Sequence, residues 1–298
     1  LGHPERSYPV IHIAGTNGKG STCAFLSSIL QAAGYRVGMF TSPHLVCINE
    51  RMQINGKNIS DNEWTEAFAE VMQAVEEAKQ DGIAHPSFFE FVFLMAAVYF
   101  QKQEVDYAIF ETGMGGRLDA TNVVRPLLTI ITSVGMDHMQ YLGDTLEKIA
   151  YEKAGIMKKN VPALFFNRKD TATQVIVQQA EKVGAHLRLV EKSQYKISKI
   201  SEKTIDFSLE SGYYRYCELT IRKTALYQVE NAVLAIEAYE QLLIQKNGMA
   251  EEDFEDESFC QLIDRHIDEI QTGLFHMVWK GRMQCIGSHI YVDGAHNE

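Results

Sequence analysis

The sequence predicts an α/β fold: a doubly wound, largely parallel sheet with helices on both faces and a small antiparallel β element at its side. Three observations carry this. Short apolar runs alternate with stretches of helical apolar periodicity from Val10 to Val190. The first apolar run ends in a glycine-rich turn that opens directly into a helical pattern. Polar loops follow three successive apolar runs, which is where doubly wound sheets carry their crevice.

The first element is the run Val10–Ala14, which reads as a buried strand. Gly15-Thr16-Asn17-Gly18-Lys19-Gly20-Ser21-Thr22 follows. Thr22, Phe25, Leu26, Ile29, Leu30 and Ala33 then recur at helical spacing, and Gly34 falls where a helix C-terminus needs a left-handed residue. Strand, glycine loop and helix form the phosphate-cradling arrangement of a nucleotide-binding P-loop. Glycines let backbone N–H groups converge on phosphate oxygens, and the helix N-terminus adds partial positive charge. Lys19 supplies a point charge, and Ser21 or Thr22 can reach a phosphate or its magnesium. The loop departs from the usual G-x-x-x-x-G-K-[ST] because Gly20 follows the lysine.

Arg36–Phe40 reads as the second strand and runs into Thr41-Ser42-Pro43-His44-Leu45; His44 has no role assigned. Residues 46–57 read as a long, partly extended loop with a tight Asn55-Gly56 turn. Ser60-Asp61 can cap a helix over 63–79, with Trp64, Phe68, Val71, Met72 and Val75 on one face. The helix over 88–101 is apolar nearly all round and is expected to be buried, with Glu90 in its first turn as a dipole-favoured carboxylate. Asp106–Phe110 and Leu127–Thr132 read as the third and fourth strands. The loops after them begin with Glu111 and contain Asp137-His138, so Lys19, Glu111 and His138 are expected at one sheet edge. His12 alternates with Ile11 and Ile13 and reads as structural.

Asp144-Thr145-Leu146-Glu147 reads as a capping box opening the next helix. Leu146, Ile149, Ala150, Ala154 and Met157 form its apolar stripe, and Lys153 falls on the same stripe. Such a lysine either snorkels to the surface or is desolvated into a reactive neutral amine. A strand over 163–166, a helix over 171–183 and a strand over 186–190 continue the alternation. Alternating runs over 196–201, 204–209 and 213–221 read as antiparallel strands on the side of the sheet. A helix spans 228–243 with Asn231 near its start. The acidic run 251–257 reads as a solvated face leading into a helix with Phe259, Leu262, Ile263, Ile267 and Ile270. Residues 279–283 break the pattern, and Ile290–Val292 opens a new strand.

The chain has 298 residues, 46% hydrophobic and 22% charged, with a net charge of −11. That balance argues against a general nucleic-acid binder. Its five cysteines lack metal-type spacing and fit a reducing cytoplasm. No apolar run is long enough to span a bilayer, and no signal peptide is visible. The chain starts without Met and stops just after a loop-like segment, so both ends read as cut.

The motifs together carry a family resemblance. They are Gly15-Thr16-Asn17-Gly18-Lys19-Gly20-Ser21, Thr41-Ser42-Pro43-His44, Asn49-Glu50-Arg51, Glu111-Thr112-Gly113-Met114-Gly115-Gly116-Arg117, Asp119-Ala120-Thr121-Asn122, Asp137-His138, Glu152-Lys153-Ala154-Gly155-Ile156, Asn231-Ala232, Gly281-Arg282 and Asp293-Gly294-Ala295-His296-Asn297. In this order the chain resembles the folylpolyglutamate synthase / dihydrofolate synthase family, relatives of the Mur ligases. The resemblance implies an ATP- and magnesium-dependent amide ligase acting on small molecules: folate or dihydropteroate, and L-glutamate. It implies an ATP-binding domain over 1–280 and, over 281–298, the stub of a C-terminal Rossmann-like domain that is largely absent. It also implies a monomer; the cysteines, the net charge and the apolar runs carry the expectation of a cytoplasmic chain with no nucleic-acid or membrane partner.

By the same resemblance, Gly15, Thr16, Asn17, Gly18, Lys19, Gly20, Ser21 and Thr22 hold the ATP phosphates. Asn231, Arg282 and Asp293 make further nucleotide contacts across the domain junction. Ser42 and Glu111 are implied ligands of one magnesium, and His138 and Lys153 of a second, with Lys153 carbamylated by CO₂. Lys19, His138 and Lys153 are the implied catalytic residues. The loop 42–56 and the 88–93 region resemble a pterin-side wall. Two other readings stand beside this one. A Mur-type ligase of UDP-sugar peptides would require a further N-terminal domain. A nucleotide-binding module without ligase activity would bind ATP without glutamate-dependent phosphate release.

Overall fold

A computed structural model describes residues 1–210, 215–222, 225–249, 261–262, 264–287 and 290–294. The start of the expected third antiparallel strand at Tyr213, the acidic run 251–257 with Phe259, Ile263, and the 295–298 end of the last motif lie outside the described residues.

The central sheet begins with β1 (Val10–Ala14), β2 (Val37–Phe40), β3 (Met52–Ile54) and β4 (Lys57–Asn58), joined by α1 (Lys19–Ala32) between β1 and β2. It continues through α2 (Asp61–Gln80), α3 (Phe88–Lys102), β5 (Tyr107–Glu111), β6 (Leu128–Ile131), α4 (Met139–Leu142), α5 (Leu146–Ala154), β7 (Pro162–Phe166), α6 (Thr171–Val183) and β8 (His186–Val190). The strand order is β4-β3-β2-β5-β1-β6-β7-β8. The six strands from β2 to β8 in that order are parallel, and β3 and β4 add antiparallel at the edge. β1 lies at the centre between β5 and β6, so its carboxyl end is the switch point of the winding.

The alternation of β1 sorts the core. Ile11 and Ile13 point into one apolar cluster with Phe25, Leu26 and Ile29 of α1. Val10 points to the other face, into a cluster with Phe40, Phe110 and Val92, Phe93 and Phe100 of α3. A third cluster joins Ala14, Ile131 and Phe165 to Ala150 of α5 and Ile176 of α6. Helices therefore cover both faces, as the alternation of the sequence predicts.

The expected antiparallel element is the sheet β9 (Tyr195–Ile200), β10 (Ile205–Glu210), β11 (Arg215–Ile221), with β10 in the middle. Its buried side chains Ile205, Phe207 and Leu209 join the same cluster as Val229, Val233 and Ile236 of α7 (Tyr227–Lys246). α7 thus lies between the large sheet and the small one, which explains why every residue from Gln228 to Ile244 except Glu230 is buried. α8 (Ile267–His276) packs on α1, with Ser28 Oγ donating to Gly273 O at 2.7 Å. β12 (Gln284–Gly287) and β13 (Ile290–Val292) pair as an antiparallel hairpin.

Several expectations shift. Residues 46–57 are not mainly loop: a 3-10 turn over Ile48–Arg51 leads into the β3–β4 hairpin, because Met52 and Ile54 bury against α2 and α3. α3 is buried only from Phe91 to Phe100, and Phe88 is exposed with the Arg51 guanidinium 5.5 Å over its ring. Phe68 on α2 is exposed although it lies on the apolar stripe. The α5 cap is Thr145, whose hydroxyl accepts from Lys148 N, while Asp144 pairs with Lys148 Nζ. Among the described residues no helix is long and apolar enough to cross a membrane.

Candidate active site

The loop between β1 and α1 is built by two glycines and by its neighbours. Gly15 (φ 154°) and Gly18 (φ 86°) adopt backbone conformations that L side chains avoid. A Cβ on either would also overlap Thr132 Oγ1 or Asn231 Oδ1. The strand-end residues of β6 clamp the loop from below. Thr132 Oγ1 donates to Asn17 O at 2.6 Å, Ser133 Oγ donates to the same oxygen at 3.0 Å, and Asn17 N donates to Ser133 Oγ at 2.9 Å. Gly135 N donates to Thr16 Oγ1 at 3.0 Å, and Thr16 N to Ser133 O at 2.9 Å. Lys19 folds back over the loop, its Nζ donating to Gly15 O at 2.9 Å. The Thr22 hydroxyl, in the first turns of α1, is buried without a hydrogen-bond partner. This loop presents a lysine and a helix N-terminus to one point, an arrangement that binds polyanions.

A buried carboxylate stands beside it. Glu111, at the end of β5, is 4% exposed, and its Oε2 accepts from Ser42 N at 3.0 Å. Burial pushes its carboxyl above the usual range, while Lys19, the Ser42 N–H, Arg282 and Arg51 pull the other way. The loop that carries Ser42 is held at Thr41, whose N–H donates to Arg51 O at 3.0 Å. Arg51 is itself buried and its Nε donates to His44 Nδ1 at 3.0 Å, so His44 orients the arginine. Glu50 closes the same loop by accepting from the N–H groups of Leu45, Val46 and Cys47.

Lys153 reaches the site from α5. Its side chain is 1% exposed, so it does not snorkel. Burial first, and then the Lys19 charge, push its amine down to about 7, while Asp137 opposes the shift. At neutral pH the amine is therefore divided between charged and neutral forms. His138 adopts a left-handed backbone (φ 46°) just before α4 and is exposed, with Nε2 3.6 Å from Asp137 Oδ2. Asp137 bears on both groups: its charge favours the Lys153 ammonium, and its Oδ2 lies 3.6 Å from His138 Nε2.

The N-terminus of α7 and the segment after α8 complete the rim. Gln228 Nε2 donates to Ser21 Oγ at 3.2 Å, and Asn231 Nδ2 donates to Gln228 Oε1 at 3.0 Å. Asp293 Oδ2 accepts from Met283 N at 2.9 Å and from the Tyr227 hydroxyl at 2.8 Å. Arg282 Nη1 donates to Gly281 O at 3.0 Å. A cleft of about 420 Å³ starts at Glu111 and Ser42, follows α1 to Gln31, and is walled by Trp279, Lys280 and Arg282.

The fold thus gathers Gly15 to Thr22, Ser42, Glu111, Lys153, Asn231, Arg282 and Asp293 around one strand-end edge, with His138 on its exposed side. Sequence reasoning passed over Thr132, Ser133, Gln228, Tyr227 and Trp279. Gln228 and Asn231 stand three apart on α7, a spacing that marks them as one helix face. Nothing local marks Trp279. Magnesium fits the donor set: one buried carboxylate and one serine suit an ion that keeps waters and phosphates as its other ligands. No group of three or more His, Cys, Asp or Glu suited to an all-protein metal cage occurs among the described residues.

The sequence profile of the Mur ligase middle domain matches residues 13–239. Over 304 residues the chain is 40% identical to the dihydrofolate synthase/folylpolyglutamate synthase of Bacillus subtilis (strain 168), covering 100% of this chain and 67% of that protein. It is 36% identical over 301 residues to the mitochondrial folylpolyglutamate synthase of Bos taurus, covering 96% of this chain and 48% of that protein. The fold superposes on a solved FPGS–AMPPCP complex with a TM-score of 0.88 at 30% identity, covering 99% of this chain and 70% of that one.

Proposed function

The chain belongs to the Mur ligase family, in its folylpolyglutamate/dihydrofolate synthase branch, and we propose that it forms the ATP-binding part of a ligase that joins L-glutamate to a folate or to dihydropteroate. The observation that carries this is the juxtaposition of the Gly15–Thr22 loop and Lys19 with the buried Glu111, whose Oε2 accepts from Ser42 N and whose carboxyl feels the Lys19 charge. A lysine-bearing anion loop beside a buried carboxylate suits a magnesium-bound nucleoside triphosphate.

Ser42 and Glu111 would hold a magnesium ion on the phosphates, and Lys153 and His138 a second. Magnesium supplies Lewis-acid neutralisation of charge on the transferring phosphoryl group. The loop N–H groups and Lys19 bind and orient the phosphates, with Asn231, Arg282 and Asp293 at the nucleoside end. The substrate's terminal carboxylate attacks the γ-phosphorus, and ADP leaves, giving an acyl phosphate. The amine of L-glutamate then attacks the acyl carbon; phosphate departs and a proton is lost from nitrogen. Lys19 stays close to both charged species. The neutral fraction of Lys153 reacts with CO₂ to give an N-carboxylate and a proton, converting a neutral amine into an anionic oxygen ligand. The resulting oxygens suit magnesium far better than an ammonium does.

We assign residues 1–280 to this ATP-binding domain and 281–298 to the opening of a glutamate-ligase domain. We further propose that the protein is a cytoplasmic monomer. The test is phosphate release from Mg-ATP with L-glutamate, offering dihydropteroate and tetrahydrofolate separately. Release that needs glutamate and one pterin supports the ligase and identifies its acceptor. Nucleotide binding with no release under any pterin supports a nucleotide-binding module instead.

A further inference from the structure

Gly20 is the residue by which the loop departs from the common phosphate-loop pattern, and the backbone does not explain it. Gly20 lies inside α1 and is absent from the positions with left-handed φ. A glycine within a helix is less stable than alanine because it has more freedom to lose. What the position excludes is a side chain. A Cβ on Gly20 would fall 2.9 Å from Trp279 Cζ2 and 3.3 Å from both Cε2 and Nε1. The indole is seated where that side chain would be, half-buried against the cluster of α1 and α7.

Trp279 also leads directly into the segment that carries Arg282 and Asp293. That segment is tied to itself by Gly294 N donating to Gly281 O at 2.8 Å and by Met283 N donating to Asp293. It is tied to the start of α7 by the Tyr227 hydroxyl. The indole on Gly20 links it to the phosphate loop. Resting on the nucleotide-binding reading above, we infer that Trp279 is a positioning residue: its ring, docked on Gly20, sets Arg282 and Asp293 against the phosphate loop. Nucleotide affinity then depends on an aromatic ring at 279 and on the absence of a side chain at 20.

The test is a double-mutant cycle on the full chain, read by Mg-ATP affinity in calorimetry and by thermal unfolding. Gly20→Ala and Trp279→Ala are each expected to weaken Mg-ATP about tenfold. The double variant is expected to bind no more weakly than Trp279→Ala alone. Gly20→Ala lowers the unfolding midpoint when Trp279 is present and raises it when the ring is gone, since alanine then simply favours the helix. Trp279→Phe keeps affinity within about threefold. If Trp279→Ala does not fold, Trp279→Leu takes its place in the cycle. Wild-type affinity in a folded Trp279→Ala, or losses that multiply to about a hundredfold in the double variant, overturns the inference. Failure of the wild-type chain to bind Mg-ATP overturns the nucleotide reading itself, and the inference falls with it.

Discussion

Lys153 shows what one residue can do when the fold withholds water from it. Held near 7 by burial and by Lys19, its amine is partly neutral, whereas in the unfolded chain it stays charged to about 10.5. Between these values unfolding takes up a proton, so stability rises with pH across that window. In CO₂-depleted buffer the Lys153 contribution is expected to add about 2 kcal/mol of stability from pH 7 to pH 9. Urea titrations of wild type and Lys153→Met check this; equal slopes for the two would remove the buried-amine reading. His12 works in the acid range with the same sign. It is fully buried, its Nε2 bonded to the Thr121 hydroxyl at 2.8 Å, and burial lowers its pKa to about 3. Unfolding takes up a proton there below about 6.5, so His12 makes stability fall as pH drops from 6.5 toward 3. Glu111→Gln keeps the shape of the buried group and removes its charge. It should leave the unfolding midpoint at pH 7 unchanged or higher, yet lower glutamate-dependent phosphate release roughly a hundredfold or more. A stable variant that still turns over normally would remove Glu111 from the proposed magnesium ligands.

At the scale of elements, local chemistry and packing separate cleanly. α2 starts where Ser60 accepts from Glu63 N and Ser60 N donates to Glu63 Oε2 at 2.9 Å, a complete capping box on an exposed helix start. Ser60→Ala should therefore cost about 1 kcal/mol in urea unfolding, with phosphate release untouched. α7 owes its place to tertiary packing instead, since it carries Gln228, Glu237, Glu240 and Gln241 in a buried environment. Glu237 is fully buried and is paired by Arg188 Nε at 2.8 Å. The small sheet is what encloses this helix. Truncating the fully buried Phe207 to Ala should cost about 3–5 kcal/mol and weaken Mg-ATP, because α7 carries the Gln228–Ser21 bond. Loss of stability with unchanged nucleotide affinity would separate the small sheet from the site.

Across the whole molecule, the site exists because distant segments converge on one sheet edge. The loop after β1 is clamped by the ends of β6, buttressed by the start of α7 and covered by the segment after α8. The crossing of α1 and α8 fixes that cover. Gly273 lies so close to Ile29 that a Cβ would overlap its backbone, and Ser28 bonds Gly273 O. Gly273→Ala should cost about 1–3 kcal/mol and displace the Trp279 segment as well. An unfolding midpoint within error of wild type would show that the helices part without penalty.

Sequence alone is enough for the alternation of strands and helices, the phosphate-cradling loop, the N-terminal cap of α2 and the anomaly of Lys153 on an apolar stripe. These are legible because they rest on short-range regularities: side-chain period, glycine freedom and capping chemistry. It misjudged residues 46–57, since three-residue strands such as Met52–Ile54 carry too little alternation to announce themselves before their burial partners are known. The tertiary structure alone decided how dry Glu111 and Lys153 are, that Gln228 bridges Ser21 to Asn231, and that an indole 259 positions away occupies the space above Gly20. Burial and close approach are properties of pairs of surfaces. No local run of residues encodes which surface arrives from elsewhere in the chain.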